Sequence, residues 1–566
     1  MTTTTSPPAD GAATSEDAVA DLLEAALARV DGTAADGADG TAPVEAAGRR
    51  RTFAVISHPD AGKSTLTEAL ALHGGAIGQA GIVQGKGGRR GVVSDWLDME
   101  KARGISITSA ALQFVYRDHV VNLLDTPGHA DFSEDTYRVL TAVDSAVMLV
   151  DADKGMERQT MKLFDVCKLR GLPVLTVINK WDRPGLEALE LMDEIAEKTG
   201  MTPTPVLWPV GIGGDFRGLL DLRDDSYIAF DAGTGGATRT EWTRMTLDEG
   251  LEREGDVLAT AVEEAELITD SNGRHDEESF RAGRTSPVVF AAAVLNRGVE
   301  QLLDILVETA PPPGDRPTVD DGVVRHVGDP FSGQVFKVQA GMDANHRDHV
   351  AFIRVSSGRF HRGQAVLNAR SGKVVGTKYA HRVFGGTRTG VEDAWPGDVV
   401  AIVNASGVRV GDTLFEGRSV TYPPIPTFAP EHFAVCLAAD LAKYKQFQRG
   451  ITELHHEGVV QTLRSDMRGE PSPVLAAVGP MQFDVVSHRM AGEFNCPVQL
   501  EPLSYQIARR TTAEHVPALS KVPGVEVLTS LDGDHFALFP DRWRLQRIER
   551  DHPEIVLDAL AADSLG

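Results

Sequence analysis

The chain has 566 residues, too many for one hydrophobic core, and we expect about three to five domains. Its 42% hydrophobic content is ordinary for a soluble protein, and no apolar run approaches the roughly 20 residues that cross a membrane. The net charge of −25 excludes a protein that coats nucleic acid non-specifically, so any RNA binding requires local basic patches. We expect neither a membrane partner nor a DNA partner.

The three cysteines, Cys167, Cys436 and Cys496, stand far apart and in no metal-ligand spacing. This argues against a disulfide framework or a zinc site and is typical of a reducing, cytoplasmic compartment. Each cysteine is expected to be a small buried hydrophobic side chain.

Residues 1–48 have the composition of a disordered acidic tail, rich in Ala, Gly, Thr and Asp. They hold nine acidic residues and one arginine, a net charge of −8 that leaves −17 for the other residues. The tail is too acidic for a transit peptide and has no apolar centre for a secretory signal. Residues 17–30 are compatible with a short helix inside it.

Residues 49–314 alternate between short apolar runs and segments of helical spacing, which predicts a doubly wound α/β domain with a mostly parallel sheet. The predicted strands are 51–56, 120–124, 145–150, 173–178 and 287–291. The predicted helices are 134–143, 159–169 and 186–199. A Gly-, Asp- and Glu-rich stretch at about 206–285 interrupts the alternation and is expected to form an inserted subdomain.

Two further domains are predicted after the proline-rich end of the first. Residues 325–422 carry short β-like runs between Gly-Asp and Gly-Gly turns, which favours a small antiparallel β-barrel. Residues 427–566 begin with the order strand, helix, strand, strand, helix, strand, which is typical of an α+β, split βαβ (ferredoxin-like) domain. The last 60 or so residues extend that domain. The fold class is therefore multidomain α/β with a barrel and an α+β domain.

The segment SHPDAGKST follows the first predicted strand and precedes a helix, which is the setting of a phosphate-binding P-loop. In such a loop successive backbone N–H groups point at phosphate oxygens, the lysine reaches the β- and γ-phosphates and the next hydroxyl binds Mg²⁺. Ser57 stands where the motif usually has its first glycine, so this turn must tolerate a Cβ atom. The predicted phosphate-binding residues are Ser57, His58, Pro59, Asp60, Ala61, Gly62, Lys63, Ser64 and Thr65.

The segment DTPGH at 125–129 ends another apolar strand. Asp125 is expected to hold Mg²⁺ through water, and Gly128 allows its backbone N–H to approach the γ-phosphate. His129 is then placed to orient the attacking water, the role of a glutamine in other GTPases.

The segment NKWD at 179–182 predicts guanine selection. The Asp182 carboxylate can accept hydrogen bonds from guanine N1–H and the 2-amino group, a pair that adenine does not offer. Asn179 is expected to tie this loop to the P-loop, and the aliphatic stem of Lys180 to lie on the base. Further backbone contacts to the base are expected from Ala292, Ala293 and Val294.

Between the first two motifs, RGISIT at 103–108 supplies two candidate switch hydroxyls. A mobile segment here can bring one hydroxyl to Mg²⁺ while the γ-phosphate is present. Ser106 is the first candidate and Thr108 the second.

Taken together, these motifs resemble the translational GTPases. SHPDAGKST, SDWLDMEKARGISIT, NLLDTPGHADFSEDTYR and NKWDR are similar to that group, and the bacterial release factor 3 family is indicated by Ser-His-Pro and by Ser94-Asp95-Trp96. VAFIRVSSGRFHRG (350–363), PGD (396–398) and VGPMQFDVVSHRM (478–490) are similar to the barrel and third domain of the same family. The resemblance covers about residues 50–560.

The resemblance implies a ribosome-dependent GTPase of translation termination that uses GTP, GDP and Mg²⁺. It implies binding to the ribosome after peptide release, departure of the codon-reading (class-one) release factor promoted by the GTP form, and exit upon hydrolysis. His129 is the implied catalytic histidine and Ser106 the implied switch hydroxyl. We expect the protein to act as a monomer in the cytoplasm.

Three alternatives remain at this stage. A translocase resembling elongation factor G, or a ribosome-protection protein, needs more than the two domains for which the chain has room after residue 312. A GTP-regulated scaffold does not need His129. The GTPase subunit of a sulfate-activating enzyme shares the first domain but is expected to lack the VGPMQFDVV segment.

Overall fold

The architecture is known from a computed structural model, which describes most of the chain. The described residues are 16–32, 41–75, 83–84, 90–91, 110–127, 129, 131, 133–231, 239–320, 322–340, 349–384, 387–405, 407–425, 429–465, 468 and 472–560. Within these ranges no helix combines the length and the apolar character of a membrane span.

A ten-stranded sheet organises the first domain, in the order β11-β10-β9-β8-β12-β7-β6-β1-β5-β4. Its central strands are parallel and buried on both faces, because helices cover each side. The five strands predicted from apolar runs are all present, with ends that differ by at most two residues. The strands of this part of the chain are β1 (Arg50–Ser57), β2 (Val83–Gln84), β3 (Arg90–Gly91), β4 (Ala110–Tyr116), β5 (His119–Asp125), β6 (Ser145–Asp151), β7 (Val174–Asn179), β8 (Thr202–Val210), β9 (Gly218–Asp221), β10 (Ser226–Phe230), β11 (Trp242–Met245) and β12 (Thr285–Phe290).

Helices pack on both faces of this sheet and bury its apolar side chains in one continuous core. The three predicted helices are present, and the first of them, Ser133–Thr141, begins four residues after His129 of the DTPGH segment. The helices are Lys63–His73, Ser133–Thr141, Arg158–Leu169, Ala188–Thr199, Leu247–Glu254, Asp256–Asn272, Glu277–Arg281 and Val299–Thr309, with a 3₁₀ turn at Ala293–Leu295.

The stretch predicted as an inserted subdomain extends the main sheet. β8 begins at Thr202, before the predicted start of the insert, and runs parallel to β12. β9, β10 and β11 then add antiparallel strands beyond β8. The insert shares the first domain's core because β8 offers it a free edge to pair with.

The second domain is an eight-stranded antiparallel sheet in the order β19-β18-β24-β15-β16-β23-β20-β21, with a short β17–β22 ladder beside it. One part of its core is separate and is formed mainly by Val, Ile, Ala and Phe. Another part, which includes Phe336, Val350 and Phe352, is continuous with the core of the first domain. The strands, after the short pair β13 (Arg316–Pro317) and β14 (Val324–Arg325), are β15 (Ser332–Ala340), β16 (His349–Ser357), β17 (Phe360–His361), β18 (Ala365–Asn368), β19 (Val374–Gly376), β20 (Ala380–Phe384), β21 (Thr387–Gly390), β22 (Asp393–Ala394), β23 (Val399–Val403) and β24 (Thr413–Phe415).

The third domain has the predicted split βαβ arrangement, since its first four strands lie in the order β28-β25-β27-β26. The final part of the chain continues the same sheet through β30, β31 and β29. The strands are β25 (His432–Ala438), β26 (Gln461–Arg464), β27 (Val474–Ala477), β28 (Val498–Pro502), β29 (Ile507–Thr511), β30 (Glu526–Ser530) and β31 (His535–Phe539). The helices are Tyr444–Glu457, Met481–Gly492, Val516–Leu519 and Arg542–Asp551, with a 3₁₀ turn at Leu441–Lys443.

Within the predicted disordered tail, the short helix considered at 17–30 is present as Glu16–Gly32, and the helix Ala42–Gly48 was not predicted. In the first helix Leu27 and Val30 are buried against Val120 of β5. In the second, Ala42 and Ala46 pack against Trp395 of the second domain. The composition is poor in apolar residues overall, but these few are concentrated on helix faces that meet a partner surface.

A buried ion pair joins the first two domains. Arg50 of β1 is fully buried and donates from Nε to Asp398 Oδ1 at 2.9 Å. The same guanidinium donates to Asp31 Oδ1 at 2.8 Å, which attaches the N-terminal helix to this joint. Asp398 also accepts from Gln113 Nε2 at 3.0 Å and from the main-chain N–H of Trp395 at 2.9 Å. The joint therefore satisfies a buried charge from several elements at once.

Burial alone would raise the pKa of Asp398, but the Arg50 charge and its hydrogen bonds outweigh burial and hold the pKa below 3.8. A carboxyl group whose pKa is lower in the folded chain stabilises the fold above its unfolded pKa. That contribution is lost as pH falls through the folded value. At neutral pH the contribution of Asp398 is therefore complete.

We predict that Asp398→Ala destabilises the protein by about 3 kcal/mol, because it leaves the Arg50 guanidinium buried without its principal counter-ion. Thermal unfolding at pH 7 is the measurement, and the midpoint temperature of the first unfolding transition is expected to fall clearly. Asp393→Ala is the matched control, since Asp393 pairs with half-exposed Arg359 and such pairs contribute about 0–1 kcal/mol. Equal shifts for both variants would contradict the assignment.

Candidate functional site

The predicted motifs meet because the strands that carry them are parallel neighbours. β12, β7, β6, β1 and β5 lie side by side in this order, all parallel. β1 ends at Ser57, β5 at Asp125 and β7 at Asn179. In an open α/β sheet the carboxyl ends of such strands form the ligand-binding edge. The sheet therefore brings the three sequence motifs to one place.

The P-loop runs from the end of β1 to the helix Lys63–His73. Ser57 belongs to the extended strand, where a Cβ atom is tolerated, and its Oγ donates to the His58 carbonyl at 3.0 Å. Asp60 and Gly62 have positive φ values of 67° and 97°. Turns of this kind make a concave nest of N–H groups that suits phosphate oxygens.

Side chains along the P-loop differ in their surroundings. The His58 imidazole is buried, with Nδ1 3.1 Å from Glu157 Oε2, which leaves its main chain for any phosphate contact. Pro59 and Ser64 are half-buried, Ala61 is buried and Thr65 is exposed.

Asn179 connects three loops of the site. Its Nδ2 donates to the Ala61 carbonyl at 2.9 Å, which is the link to the P-loop that the sequence predicts. Its Oδ1 accepts from the Ala293 N–H at 3.0 Å. A Cβ atom on Gly62 would lie 2.5 Å from Asn179 Nδ2, so glycine is required for this approach. The P-loop and the base-binding loops are therefore held in fixed relation.

Lys63 and Asp125, from two different motifs, form a buried ion pair. Lys63 Nζ lies 2.6 Å from Asp125 Oδ1. Thr126 Oγ1 donates to the Val55 carbonyl at 2.7 Å, which fastens the start of the DTPGH segment to β1. The lysine assigned to the phosphates thus stands beside the carboxylate assigned to Mg²⁺, as a shared phosphate–metal site requires.

Asp182 carries an unsatisfied acceptor. Its Oδ1 atom is buried and has no hydrogen-bond partner among the described residues, and its Oδ2 atom is 3.8 Å from Arg183 Nε. A buried acceptor without a partner costs about 1–3 kcal/mol, a cost that a ligand donor at this position would remove. Guanine N1–H and its 2-amino group are donors of the required kind.

Lys180 and Trp181 are held by contacts that the sequence did not predict in detail. Lys180, at a φ of 69°, donates from Nζ to Asp151 Oδ2 at 2.7 Å. Burial would raise the pKa of Asp151, but this hydrogen bond helps to keep it below its usual value. Trp181 packs inward, edge-on to Phe290 with ring centroids 4.8 Å apart. Asp151 was missed, although an acid at the end of β6 beside the NKWD strand is a usable signal.

Residues 292–294 follow β12 and form the start of a 3₁₀ turn. The Ala292 N–H donates to the Arg297 carbonyl at 3.0 Å, and the Ala293 N–H is used by Asn179. Val294 is the exposed member of the three, at 43%. Their contact with the base remains a prediction.

His129 is partly exposed beside Asp131. The Asp131 N–H donates to His129 Nδ1 at 3.2 Å, and Asp131 Oδ1 lies 3.4 Å from the same nitrogen. The histidine thus follows Asp125 by four residues, on a segment fastened to β1 through Thr126. Gly128, Ser106 and Thr108 lie outside the described residues, so their roles remain predictions.

Protein-family models cover each of the three domains. Residues 48–312 match the Elongation factor Tu GTP binding domain, and residues 330–417 match Elongation factor G domain 2. Residues 422–549 match the C-terminal domain of Class II release factor RF3. The third match is the informative one for function, because the first domain is common to many GTPases.

Curated relatives extend this likeness over nearly the whole chain. Peptide chain release factor 3 from Gloeobacter violaceus is 46% identical over 526 residues, 91% of this chain and 98% of the relative. The proteins of that name from Microcystis aeruginosa and Gloeothece citriformis are 45% and 43% identical, each over 91% of this chain and 95% and 96% of the relative. The chain belongs to the peptide chain release factor 3 family.

Membership of the release factor 3 family makes the chain a translational GTPase of termination, which binds GTP and GDP and acts at the ribosome. This decides against the translocase and the sulfate-activating subunit, and against a scaffold without hydrolysis. A solved structure from Thermus thermophilus shares the fold with a TM-score of 0.65 and 24% identity, covering 82% of this chain and 69% of that one.

We predict that Asp182→Asn weakens GTP binding by several kcal/mol and creates binding of xanthosine triphosphate. An amide loses one of the two acceptors for guanine, but it can donate to the 2-carbonyl of xanthine. Equilibrium binding of both nucleotides is the measurement. The gain of xanthosine triphosphate binding is the internal control for folding, and unchanged GTP affinity would remove Asp182 from the site.

We predict that Lys63→Ala lowers GTP affinity by roughly 100-fold or more, because the phosphates lose a charge-assisted contact and Asp125 is left without its buried counter-ion. Fluorescent-nucleotide titration tests this. Lys198→Ala removes a half-exposed lysine of the same domain and is the control. Retained GTP affinity in Lys63→Ala would make the Gly-Lys-Ser turn a structural loop.

Proposed function

We propose that the GTP form of this protein promotes departure of codon-reading, class-one release factors from the ribosome after peptide release, and that GTP hydrolysis then releases the protein itself. The observation that carries the proposal is the combination of guanine-nucleotide motifs that meet at one sheet edge with a third domain of the release factor 3 type. The nucleotide site supplies the switch, and the third domain distinguishes this family from other GTPases.

In this proposal the substrate GTP lies along the carboxyl edge of the sheet. Backbone N–H groups of the P-loop and Lys63 hold its phosphates, while Asp182 and Asn179 hold and position the guanine end. The oxygen donors assigned to Mg²⁺, the Ser64 hydroxyl and the Asp125 carboxylate, have the chemistry that this cation prefers. Held by these two residues, Mg²⁺ would supply positive charge that offsets the negative charge developing on the phosphates. Ser106 is the proposed switch hydroxyl.

His129 is proposed to orient the water that attacks the γ-phosphorus. The bond from the γ-phosphorus to the β–γ bridging oxygen breaks, which gives GDP and inorganic phosphate. Support comes from the position of His129 after Asp125 and from the N–H of Asp131, which holds the imidazole by Nδ1. Because His129 is partly exposed, the ribosome can complete the arrangement in trans.

The partners and compartment follow from the same proposal. The ribosome, both rRNA and ribosomal proteins, is the platform, and class-one release factors are displaced from it. We propose that the protein works as a monomer in the cytoplasm, where ribosomes terminate. A single sedimenting species at 60.8 kDa would support the monomer.

Release-factor departure can be followed directly. A labelled class-one release factor is bound to ribosomes after peptide release, and the protein is added with GTP, GDP or a non-hydrolysable GTP analogue. Departure with GTP and with the analogue, but not with GDP, is expected because GTP binding drives this step. Departure that is equal with all three nucleotides would contradict the proposal.

We predict that His129→Ala binds GTP, GDP and ribosomes normally, while ribosome-stimulated hydrolysis falls by roughly two to four orders of magnitude. One round of release-factor departure remains, but the variant stays on the ribosome and fails to recycle. Quenched-flow hydrolysis and ribosome co-sedimentation are the measurements. Hydrolysis at the wild-type rate would return His129 to a structural role.

A further inference from the structure

The segment that follows β5 meets the third domain at the ends of two helices. We call the described residues 125–127, 129 and 131 together with the helix Ser133–Thr141 the switch segment. Asp131 Oδ2 accepts a hydrogen bond from the N–H of Met481 at 2.7 Å, where the helix Met481–Gly492 begins. Arg138 donates to the carbonyls of Glu457 and Gly458 at 3.3 and 3.4 Å, where the helix Tyr444–Glu457 ends.

The charges at these two contacts are complementary to the helix ends. A helix N-terminus carries partial positive charge and free N–H groups, and a C-terminus carries partial negative charge and free carbonyls. Asp131 faces the first kind of end and Arg138 the second. Arg138 is itself held by Glu134 at 2.6 Å, inside the switch segment. Both contacts therefore depend on charge and geometry together.

Two glycines of the third domain give the room for these side chains. A Cβ atom on Gly479 would lie 2.2 Å from Asp131 Cγ. A Cβ atom on Gly458, which has a φ of +76°, would lie 2.2 Å from the Arg138 guanidinium nitrogens. A side chain at Gly479 would displace the Asp131 carboxylate, and one at Gly458 would displace the Arg138 guanidinium.

Asp131 also contacts the His129 ring. The Asp131 N–H donates to Nδ1, and the Asp131 carboxylate lies 3.4 Å from the same nitrogen, so both groups of Asp131 face this edge of the ring. One residue thus holds the histidine through its main chain and the third domain through its side chain.

We propose that Asp131 is a positioning residue that couples docking of the third domain to the orientation of the His129 imidazole. The inference rests on the proposed catalytic role of His129 and adds the source of its alignment. Because its carboxylate accepts from the Met481 N–H, Asp131 is fixed in place, and its own main-chain N–H holds His129 Nδ1. When the third domain moves away, this N–H loses its anchor and the ring loses its orientation. Arg138 provides the second point of attachment.

Single-turnover GTP hydrolysis on saturating ribosomes tests the coupling. Asp131→Ala is expected to lower the hydrolysis rate constant by roughly 10- to 100-fold, the scale for a small misplacement of a reacting group. Its GTP affinity should stay within about two-fold of wild type, because the contacts of Asp131 in the described part of the chain are with His129 and the third domain. Asp131→Asn keeps an acceptor for the Met481 N–H and should recover most of the rate.

A matched control separates coupling from simple loss of a helix cap. Asp541 caps the helix Arg542–Asp551 of the same domain, accepting from the Arg544 N–H at 2.7 Å. Asp541→Ala should cost a similar amount of stability and leave hydrolysis unchanged. An equal loss of hydrolysis in both variants would overturn the inference.

Gly479→Ala tests the contact from the third domain without altering the nucleotide-binding domain. It should slow hydrolysis to a similar extent as Asp131→Ala, with GTP affinity again unchanged. The double variant should be no slower than the slower single variant, because removing the Asp131 side chain also removes the clash. If the double variant instead loses rate by the product of the two single-variant losses, the two effects are independent and the coupling is overturned.

The outcomes also distinguish this inference from the proposed function. If His129→Ala hydrolyses GTP at the wild-type rate, the catalytic assignment fails and the coupling fails with it. If His129→Ala is slow but Asp131→Ala and Gly479→Ala are not, only the coupling fails.

Discussion

The nucleotide site depends on one constraint, the parallel alignment of the strands around β1. Because β5, β1, β6, β7 and β12 are parallel, their carboxyl ends share one edge. Segments that are far apart in the chain therefore leave the sheet together, and each needs only a short loop to reach the nucleotide. Apolar side chains on both faces of these strands keep the edge rigid.

Pre-organisation of that edge comes from a few polar contacts. Asn179 bridges the P-loop and the loop after β12, and the absence of a side chain on Gly62 lets it approach. Lys63 with Asp125, and Lys180 with Asp151, place two cations beside two carboxylates. Asp182, unlike these two carboxylates, keeps a buried oxygen without a partner among the described residues, which is where base selection is proposed.

The two domain junctions differ in strength, and this bears on which one can move. At the junction of the first two domains Arg50 and Asp398 are both buried and hydrogen-bonded, and Arg354 Nη2 adds a 2.6 Å contact to Asp144. Parting these charges would leave them buried and uncompensated. The switch segment instead meets the third domain through helix ends, whose groups water can satisfy on separation. Movement of the third domain relative to the switch segment is therefore the less costly change.

The sequence by itself determined the local features of this protein. The strands of the first domain, the P-loop, the NKWD segment and the split βαβ order all follow from patterns within short windows, where spacing and residue type carry the information. Ser57, expected in a turn that must tolerate a Cβ atom, is the last residue of β1. The roles of Ser106, Thr108 and Gly128 stay predictions from the same patterns.

Only the tertiary structure decided which distant residues meet. Composition predicted a disordered tail, yet Leu27 and Val30 are buried against Val120 of β5. The insert is part of the main sheet because β8 pairs with β12 on one side and with β9 on the other. Asp131 and Met481 are 350 positions apart, and their hydrogen bond does not follow from any local pattern. Such contacts arise from the docking of whole domains, where the geometry of complete elements, and not spacing along the chain, selects the partner.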